Sequence, residues 1–368
     1  MAISSNPRPQ AVRQEAGQEA AGARAPLVRV EDLQVHFQLS RKDTLKAVDG
    51  VSFDVFPNEV FGLIGESGSG KTTVGRTVVS LQQPTGGRVL LDGQELKSLS
   101  ASELRHTRRD YQIVFQDPAG ALNPRMTIGQ SVTEPLRIEG RLSRAEQDAV
   151  ALECLGLVGL RPEHALRYPH ELSGGQKQRV NIARVLTMKP KLVVCDEAVA
   201  ALDVSIQAEI INLFDKLQKE LGLAYLFISH DLSVVAHVSH RIAVMYLGRL
   251  VEVGDVDGII SAPMHPYTRA LLRSRPIPVP ASMRTRSRPA LTGEIPSPLS
   301  PPSGCRFRTR CVFAQERCAR EEPPLRRMQP GRQVACHFAG ELPEDAGWAI
   351  ETTEENGNER IRIAAQSD

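Results

Sequence analysis

Short apolar runs alternate with longer amphipathic stretches from Leu27 to about Met264. The run at 192–194, Leu-Val-Val, is short and rich in β-branched residues, which is typical of a buried strand. Residues 206–221 instead repeat apolar side chains at helical spacing. Parallel strands need crossover connections and are buried on both faces, so this alternation predicts a largely parallel sheet covered by helices, and hence an α/β fold.

The composition of the sequence changes near residue 276. The segment that follows is rich in proline and arginine, so regular structure is not expected there. At the other end, the first residues show no apolar periodicity, and their composition cannot offset the entropy cost of ordering. The length of 368 residues exceeds the roughly 250 to 300 residues of a single core. We therefore predict a disordered tail over 1–26, a main domain over 27–275, a Pro-rich, four-cysteine extension over 276–340 and a polar tail over 341–368.

Composition and charge exclude several classes of protein. A hydrophobic content of 41% and a charged content of 24% are close to the averages for globular domains. The formal net charge of +2 gives no overall attraction to nucleic acid, so we expect no nucleic-acid partner. No apolar run reaches the roughly 18 residues of a membrane span, and residues 1–26 lack the apolar core of a signal peptide. We expect the chain to stay in the cytosol.

A phosphate-binding loop is the clearest chemical motif. It follows the strand-like run at 60–64, precedes a helix-compatible stretch, and fits the pattern G-x-x-x-x-G-K-[ST]. Such a loop wraps backbone N–H groups around phosphates at a helix N-terminus, where the helix dipole favours anions. Lys71 would contact the β- and γ-phosphates of ATP, and the Thr72 hydroxyl would bind Mg²⁺. The predicted nucleotide-binding residues are Gly65, Glu66, Ser67, Gly68, Ser69, Gly70, Lys71, Thr72 and Thr73.

Two acids follow a second buried strand. The strand-like run at 191–197 ends in Asp196 and Glu197. Alone, such a pair is more often solvated, but beside a phosphate loop Asp196 can hold Mg²⁺ and Glu197 can polarise the water that attacks the γ-phosphate. This pattern predicts hydrolysis as well as binding of ATP.

A Leu-Ser-Gly-Gly-Gln segment lies between these two motifs, at 172–176, and Ser-His-Asp follows them at 229–231. The whole set resembles the nucleotide-binding domain of ATP-binding cassette (ABC) proteins. The resemblance implies a P-loop NTPase cassette with a mixed, largely parallel sheet and a helical subdomain at about 125–188. It also implies a second anion site that closes on the γ-phosphate held by the opposite subunit, formed by Ser173, Gly174, Gly175 and Gln176.

The resemblance assigns four further positions. Gln116 matches the glutamine that senses Mg²⁺ and the attacking water, and His230 matches the switch histidine that contacts the γ-phosphate. Asp203 matches the D-loop aspartate, which contacts the opposite subunit. Phe37 is the candidate for stacking on adenine, with a core strand position as the alternative. These assignments complete the predicted catalytic set of Glu197, His230 and Gln116.

Three segments resemble the ATPases of oligopeptide and dipeptide importers. They span 117–136, 203–208 and 265–272, and the last has the sequence His-Pro-Tyr-Thr-Arg-Ala-Leu-Leu. The resemblance implies ATP-driven dimerisation with a second, paralogous ATPase subunit, two transmembrane permease subunits and an extracytoplasmic binding protein. It also implies a location at the cytoplasmic side of the plasma membrane. Nickel or another small solute is the alternative cargo. A soluble ABC ATPase acting on DNA or ribosomes is disfavoured, because neither a second cassette nor a long coiled-coil insertion is visible.

Four cysteines are spaced C-x5-C-x6-C-x17-C in the extension and precede His337. Disulfides are disfavoured in a reducing cytosol, and a small appendage gains from a covalent or metal staple. Zinc sites usually use tighter cysteine pairs. The importer resemblance implies a four-iron, four-sulfur cluster, with zinc and unliganded thiols as alternatives. The ligands would be Cys305, Cys311, Cys318 and Cys336, whereas Cys154 and Cys195 are expected to be ordinary buried residues.

Overall fold

A computed structural model describes residues 25–274 and 293–343, together with the backbone of two strands near the C-terminus. The predicted tail over 1–26 lies almost entirely outside the described residues, as does the first part of the Pro-rich segment. The strands are β1 (Val28–Gln38), β2 (Thr44–Val55), β3 (Val60–Ile64), β4 (Gly86–Leu91), β5 (Gln94–Glu95), β6 (Tyr111–Val114), β7 (Leu192–Asp196), β8 (Ala224–Ser229), β9 (Arg241–Tyr246), β10 (Arg249–Asp255), β11 (Arg326–Gln329), β12 (Arg332–Val334), β13 (Ile350–Glu355) and β14 (Asn358–Ile363).

The helices surround the strands in the order expected of an α/β chain. They are α1 (Lys71–Val78), α2 (Ala101–Asp110), α3 (Ile128–Glu139), α4 (Arg144–Leu157), α5 (Gly174–Leu186), α6 (Val204–Leu221), α7 (Leu232–Val238), α8 (Val256–Ser261), α9 (Pro266–Arg273) and α10 (Glu316–Arg320). Short 3₁₀ helices lie at Leu96–Ser98, Pro162–Leu166 and Pro169–Glu171. Within the described part of the chain, no helix is both long enough and apolar enough to cross a bilayer.

The main sheet has eight strands in the order β11-β12-β10-β9-β3-β8-β7-β6. The pairs from β9 to β6 are parallel, and β10, β12 and β11 continue the sheet in antiparallel fashion. Strands β3, β7 and β8 are buried at every position, which explains their continuous apolar sequences. This mixed, largely parallel sheet confirms the predicted fold class.

A second sheet was not predicted. Strands β2, β1, β4 and β5 form an antiparallel sheet, and it shares a core with β3 and α1. Phe53 of β2 stacks on Phe61 of β3 with ring centroids 5.0 Å apart. The apolar residues of β1 recur mostly at every second position, and this sequence signal could have revealed a half-buried antiparallel strand.

Three helices, α3, α4 and α5, pack on one another through a common apolar core. Each begins with a capping box, in which the N-cap side chain accepts a backbone N–H and the residue three positions later bonds back to the N-cap. The N-cap residues are Thr127, Ser143 and Ser173. The helix starts are therefore encoded locally, and the last of them lies in the Leu-Ser-Gly-Gly-Gln segment.

The cysteine-containing extension completes the edge of the main sheet. Strand β12 pairs with β10, so Val334 lies opposite Glu252. Beneath this pairing, the Arg332 guanidinium contacts the Glu252 carboxylate at 2.6 Å, and these side chains are only 4% and 0% exposed. An otherwise open edge of the main sheet is thus covered by the same chain. The segment predicted as an appendage is structurally continuous with the cassette.

Beyond the extension, β13 and β14 pair with each other as an antiparallel two-stranded sheet. The sequence analysis predicted only a polar tail for this region. The residues from 350 to 355 and from 358 to 363 pair one to one without a register shift. The end of the chain therefore contains regular structure that composition alone did not reveal.

Candidate functional site

The phosphate loop joins β3 to α1 at the carboxyl edge of the parallel strands. Two of its glycines cannot carry a side chain, because a Cβ atom at Gly65 or Gly70 would lie 2.1 Å from the carbonyl oxygen of Met245 or Ala47. Gly70 also has a φ of 104°, which disfavours residues with a side chain. The glycine spacing of the motif therefore reflects close packing of the loop against neighbouring backbone.

The loop curls around the Lys71 side chain. Its Nζ donates hydrogen bonds to the carbonyl oxygens of Gly65 at 2.8 Å and Glu66 at 2.9 Å. Burial lowers the pKa of Lys71, and the nearby carboxylates of Glu197, Asp196 and Glu66 oppose that shift. The ammonium group is thus held inside the loop, at the position where the motif predicts phosphate.

Thr72 and Asp196 meet at the first turn of α1. The Thr72 hydroxyl donates to Asp196 Oδ1 at 2.8 Å. Burial raises the pKa of Asp196, whereas the hydrogen bond from Thr72 and the charge of Arg76 lower it. Two oxygen ligands suit Mg²⁺, which typically uses one or two protein oxygens together with water and substrate phosphates. The chemistry of the pair therefore fits the predicted magnesium site.

Three predicted catalytic residues converge next to this pair. Gln116 Nε2 donates to Glu197 Oε2 at 2.9 Å, and His230 Nδ1 lies 3.4 Å from Glu197 Oε1. Glu197 itself has a φ of 49°, an uncommon conformation for a residue with a side chain, and its N–H donates to the carbonyl of Ile228 in β8. Adjacent strands thus fix one carboxylate between an amide and an imidazole.

The Leu-Ser-Gly-Gly-Gln segment opens helix α5. Ser173 and Gly174 are exposed, while Gly175 is buried. The Ser173 hydroxyl accepts the N–H of Gln176, and the Gln176 side chain accepts the N–H of Ser173. The helix start is thus capped by its own side chains, and Ser173 and Gly174 lie at the surface.

The buried face of α5 reveals residues that the sequence analysis missed. Gln178 Nε2 donates to the carbonyl of Ala198, which lies two residues after Asp196. Asn181 and Arg184 donate to the carbonyls of Pro118 and Ala121, in the segment that follows Gln116. These bonds tie the helix to the segments that follow β6 and β7. No motif marks them, because each joins segments distant in sequence.

Asp203 and Phe37 lie at the margins of this arrangement. Asp203 is the exposed N-cap residue of α6, and its neighbour Val204 is 82% exposed. Phe37 lies near the end of β1, opposite Leu45 of β2, and packs half-buried against the core of the antiparallel sheet. The positions are compatible with the expected roles, which stay predictions.

Glu66 of the phosphate loop has two partners that were not predicted. Its backbone N–H donates to the Tyr267 hydroxyl at 2.9 Å. Its carboxylate accepts two hydrogen bonds from Arg310, one from Nη1 at 2.6 Å and one from Nη2 at 3.0 Å. Tyr267 belongs to the His-Pro-Tyr segment, which was the only sequence signal for either contact.

The four cysteines of the extension line one pocket, together with aromatic residues and His337. Burial raises the pKa of Cys305 to about 11 and that of Cys311 to about 12, and the neighbouring cysteines add to both shifts. None of the six cysteines forms a disulfide. Among the described residues, no group of three or more side chains is arranged to hold a single metal ion.

The two remaining cysteines behave as the sequence predicted. Cys154 lies in the core of the helical region and Cys195 lies in β7, and both are buried. Burial raises the pKa of Cys154 to about 11 and holds that of Cys195 well above its usual value. Thiols in such surroundings are inert packing residues.

Comparison with known proteins agrees with the fold and with the motifs. The ABC transporter family model matches residues 48–200, and the model of the oligopeptide/dipeptide transporter C-terminal region matches residues 251–318. The oligopeptide transport ATP-binding protein OppF of Salmonella typhimurium is 49% identical over 312 residues, which cover 82% of this chain and 93% of OppF.

Solved structures show the same cassette. The dimeric ATP-binding cassette MJ0796, in a post-hydrolysis state bound to ADP and Pi, has a TM-score of 0.57 and 31% identity, and the match covers 62% of this chain and 98% of that one. For cbiO1 from Clostridium perfringens, the values are a TM-score of 0.58, 29% identity, and 64% and 91% coverage. Fold and site thus define a P-loop ATPase cassette. The chain belongs to the ABC transporter family of ATP-binding subunits that includes the oligopeptide transport ATP-binding proteins.

Proposed function

We propose that the chain binds and hydrolyses ATP to power an importer for dipeptides or oligopeptides. The observation that carries the ATPase assignment is the convergence of Gln116 and His230 on the Glu197 carboxylate, beside a lysine-containing phosphate loop. The support for peptide cargo is the near-full-length similarity to a peptide-importer ATPase, together with the matched C-terminal region.

The catalytic roles follow from the positions of the side chains. Lys71 and the N–H groups at the start of α1 would bind the triphosphate, and the hydroxyl of Thr72 and the carboxylate of Asp196 would hold Mg²⁺. When bound, Mg²⁺ neutralises charge on the β- and γ-phosphates. Glu197 accepts a proton from the attacking water, which Gln116 and His230 help to orient. The nucleotide-binding set is that of the predicted motif, from Gly65 to Thr73.

Hydrolysis requires two cassettes facing each other. The helix start at 173–176, where Ser173 and Gly174 are exposed, would form a second anion site, and we assign it to the γ-phosphate bound by a partner cassette. Asp203 and the exposed Val204 would contact that partner. The partner is proposed to be a different, paralogous ATPase chain. Phe37, at the end of β1, is the proposed adenine platform.

The proposed assembly places this chain on the cytoplasmic face of the plasma membrane. Two permease subunits hold it there, and an extracytoplasmic binding protein delivers the peptide. Within the chain, the proposed nucleotide-binding domain spans 27–275, with a helical subdomain at about 125–188 that contains α3, α4 and α5. The proposed extension spans 276–340, after which a polar tail follows.

We further propose that Cys305, Cys311, Cys318 and Cys336 bind a four-iron, four-sulfur cluster. Their common pocket supports this, because a cluster needs four thiolates around a volume larger than one ion. The cluster would act as a staple for the extension. Anaerobically purified full-length protein should be brown and absorb near about 400 nm. Cys311→Ser should lose the iron, and the buried Cys154→Ala should keep it. Colourless, iron-free protein would refute the cluster. Stoichiometric zinc in that protein would assign the four cysteines to a zinc site instead.

Transport itself is tested by reconstitution. The chain is assembled in proteoliposomes with its permeases and partner ATPase, and uptake of a labelled peptide library is compared with uptake of nickel. We expect ATP-dependent peptide uptake that is lost with Glu197→Gln. Nickel uptake without peptide uptake would retain the ATPase assignment but reject the peptide cargo.

A further inference from the structure

Glu66 places a negative charge on a loop that must bind a triphosphate. Its own carbonyl oxygen accepts a hydrogen bond from Lys71 Nζ, so the residue lies directly against the phosphate-binding ammonium. An uncompensated carboxylate there would repel the phosphates, and the repulsion is strong because few waters screen a part-buried site. The loop therefore needs a partner for this charge.

Arg310 of the extension supplies that partner. Its two terminal nitrogens contact the two carboxylate oxygens of Glu66, at 2.6 Å and 3.0 Å, and its side chain is only 3% exposed. The guanidinium also lies over the ring of Tyr246, 5.8 Å from its centroid. The hydrogen bonds to Glu66 raise the pKa of Arg310, so it is charged at any pH the protein meets. A fork of this kind fixes direction as well as charge.

A second contact fixes the backbone of the same loop residue. The Tyr267 hydroxyl accepts the N–H of Glu66, and Tyr267 packs on Tyr246 and Phe307 with ring centroids 4.7 Å and 5.3 Å apart. Phe307 belongs to the extension and is buried. One residue of the phosphate loop is thus held through both its main chain and its side chain.

The turn that presents Arg310 is itself part of the cysteine pocket. Arg310 donates its backbone N–H to Phe307, and Cys305 and Cys311 begin and end this turn. Arg306, in the same turn, contacts Asp49 of β2 and the carbonyl of Leu247. The turn that carries the Arg310 guanidinium is therefore held by the contacts of Arg306 with the cassette and by the packing of the cysteine pocket.

We propose that Arg310 is a positioning residue for ATP binding, and that the extension thereby forms part of the nucleotide site. Arg310 neutralises the Glu66 carboxylate and so removes its repulsion of the bound phosphates. Its guanidinium contacts Glu66 and Tyr246 and belongs to none of the proposed catalytic groups, so its loss should act on the affinity for MgATP and leave the chemical step nearly unchanged. The inference rests on the proposed ATPase function but concerns a contact outside its motifs.

The test measures MgATP affinity with a fluorescent ATP analogue on the full-length chain, and KM and kcat in the assembled transporter. Arg310→Gln should weaken affinity and raise KM by about 10- to 100-fold, with kcat little changed. Glu66→Gln removes the negative charge that Arg310 compensates, so it should lose less affinity than Arg310→Gln. The double variant should recover most of the affinity, whereas Arg310→Lys should give an intermediate value.

The control is Arg317→Gln, which breaks an exposed ion pair with Glu321 in the same extension and should leave KM unchanged. A merely structural role for Arg310 predicts that both single variants weaken affinity and that the double variant recovers nothing. That result, or an unchanged affinity in Arg310→Gln, would overturn the proposal. Wild-type protein that binds ATP without hydrolysing it would instead contradict the proposed function, so the two failures are distinguishable.

Discussion

The phosphate-loop cassette and the four-cysteine extension encode their function differently. In the cassette, each chemical group belongs to a contiguous motif that also contains the strand and helix positioning it. In the extension, the groups that matter act on partners far away in sequence, and the Arg310–Glu66 contact joins residues 244 positions apart. The comparison shows that catalytic chemistry can be local in sequence while the support of the same site is not.

Glu197→Gln tests the cassette at the chemical step of ATP hydrolysis. Turnover should fall by about 100- to 10,000-fold, because an amide cannot accept the proton of the attacking water. ATP binding should persist and the closed dimer should accumulate. ATPase assays and size-exclusion chromatography with ATP measure both. The control Glu209→Gln alters an exposed acid on α6, and near-normal turnover in Glu197→Gln would reject the catalytic assignment.

Lys71→Ala breaks the binding step instead. The buried ammonium is removed from the loop, so affinity for MgATP should fall by about 100-fold. Iron content and the fold of the extension should not change, because the hydrogen bonds of Lys71 go to the phosphate loop. The exposed Lys219→Ala serves as the matched control. Unchanged affinity would count against the phosphate-loop role.

Arg332→Met tests how firmly the extension is attached. It leaves the fully buried Glu252 carboxylate without its cation, so unfolding free energy should fall by about 3 to 5 kcal/mol. Chemical denaturation of the full-length chain measures the loss. Arg320→Met removes an exposed pair in α10 and should have almost no effect. An equal loss in both variants would show that burial at β10 and β12 is not what anchors the extension.

Asp49→Asn gives the smallest expected effect. Burial raises the pKa of Asp49, but the charges of Arg306 and Arg249 outweigh it and hold that pKa below its usual range. The ionised carboxylate therefore stabilises the folded chain above the unfolded pKa of about 3.9, and this contribution is lost as pH falls through the lower folded pKa. Asn should cost about 1 to 3 kcal/mol at pH 7. A loss independent of pH would contradict the charge pairing.

Much of the cassette could be predicted from the sequence, for a physical reason. Lys71, Asp196, Glu197 and His230 each lie at a strand end or helix start that the local pattern also reveals, so adjacent parallel strands must bring them together. The antiparallel sheet of β1, β2, β4 and β5 was not predicted, although the apolar residues of β1 recur mostly at every second position, as in a half-buried strand.

For the extension, the sequence predicted the proline and cysteine content but not the structure. Its cysteines were visible, but β12 pairing with β10, and Arg310 reaching Glu66, depend on tertiary packing that leaves no periodicity in the sequence. The His-Pro-Tyr segment indicated only a family resemblance. In the structure, the Tyr267 hydroxyl accepts a hydrogen bond from the backbone N–H of Glu66 in the phosphate loop. Ion pairs between residues so far apart in sequence can be identified only from the three-dimensional structure.

The most direct test of the account is magnesium-dependent ATP hydrolysis by the purified chain, correctly paired with its partner ATPase and permeases. The account predicts saturable hydrolysis that requires both cassettes and ceases when Mg²⁺ is chelated. A well-folded, fully assembled complex with no nucleotidase activity would contradict it.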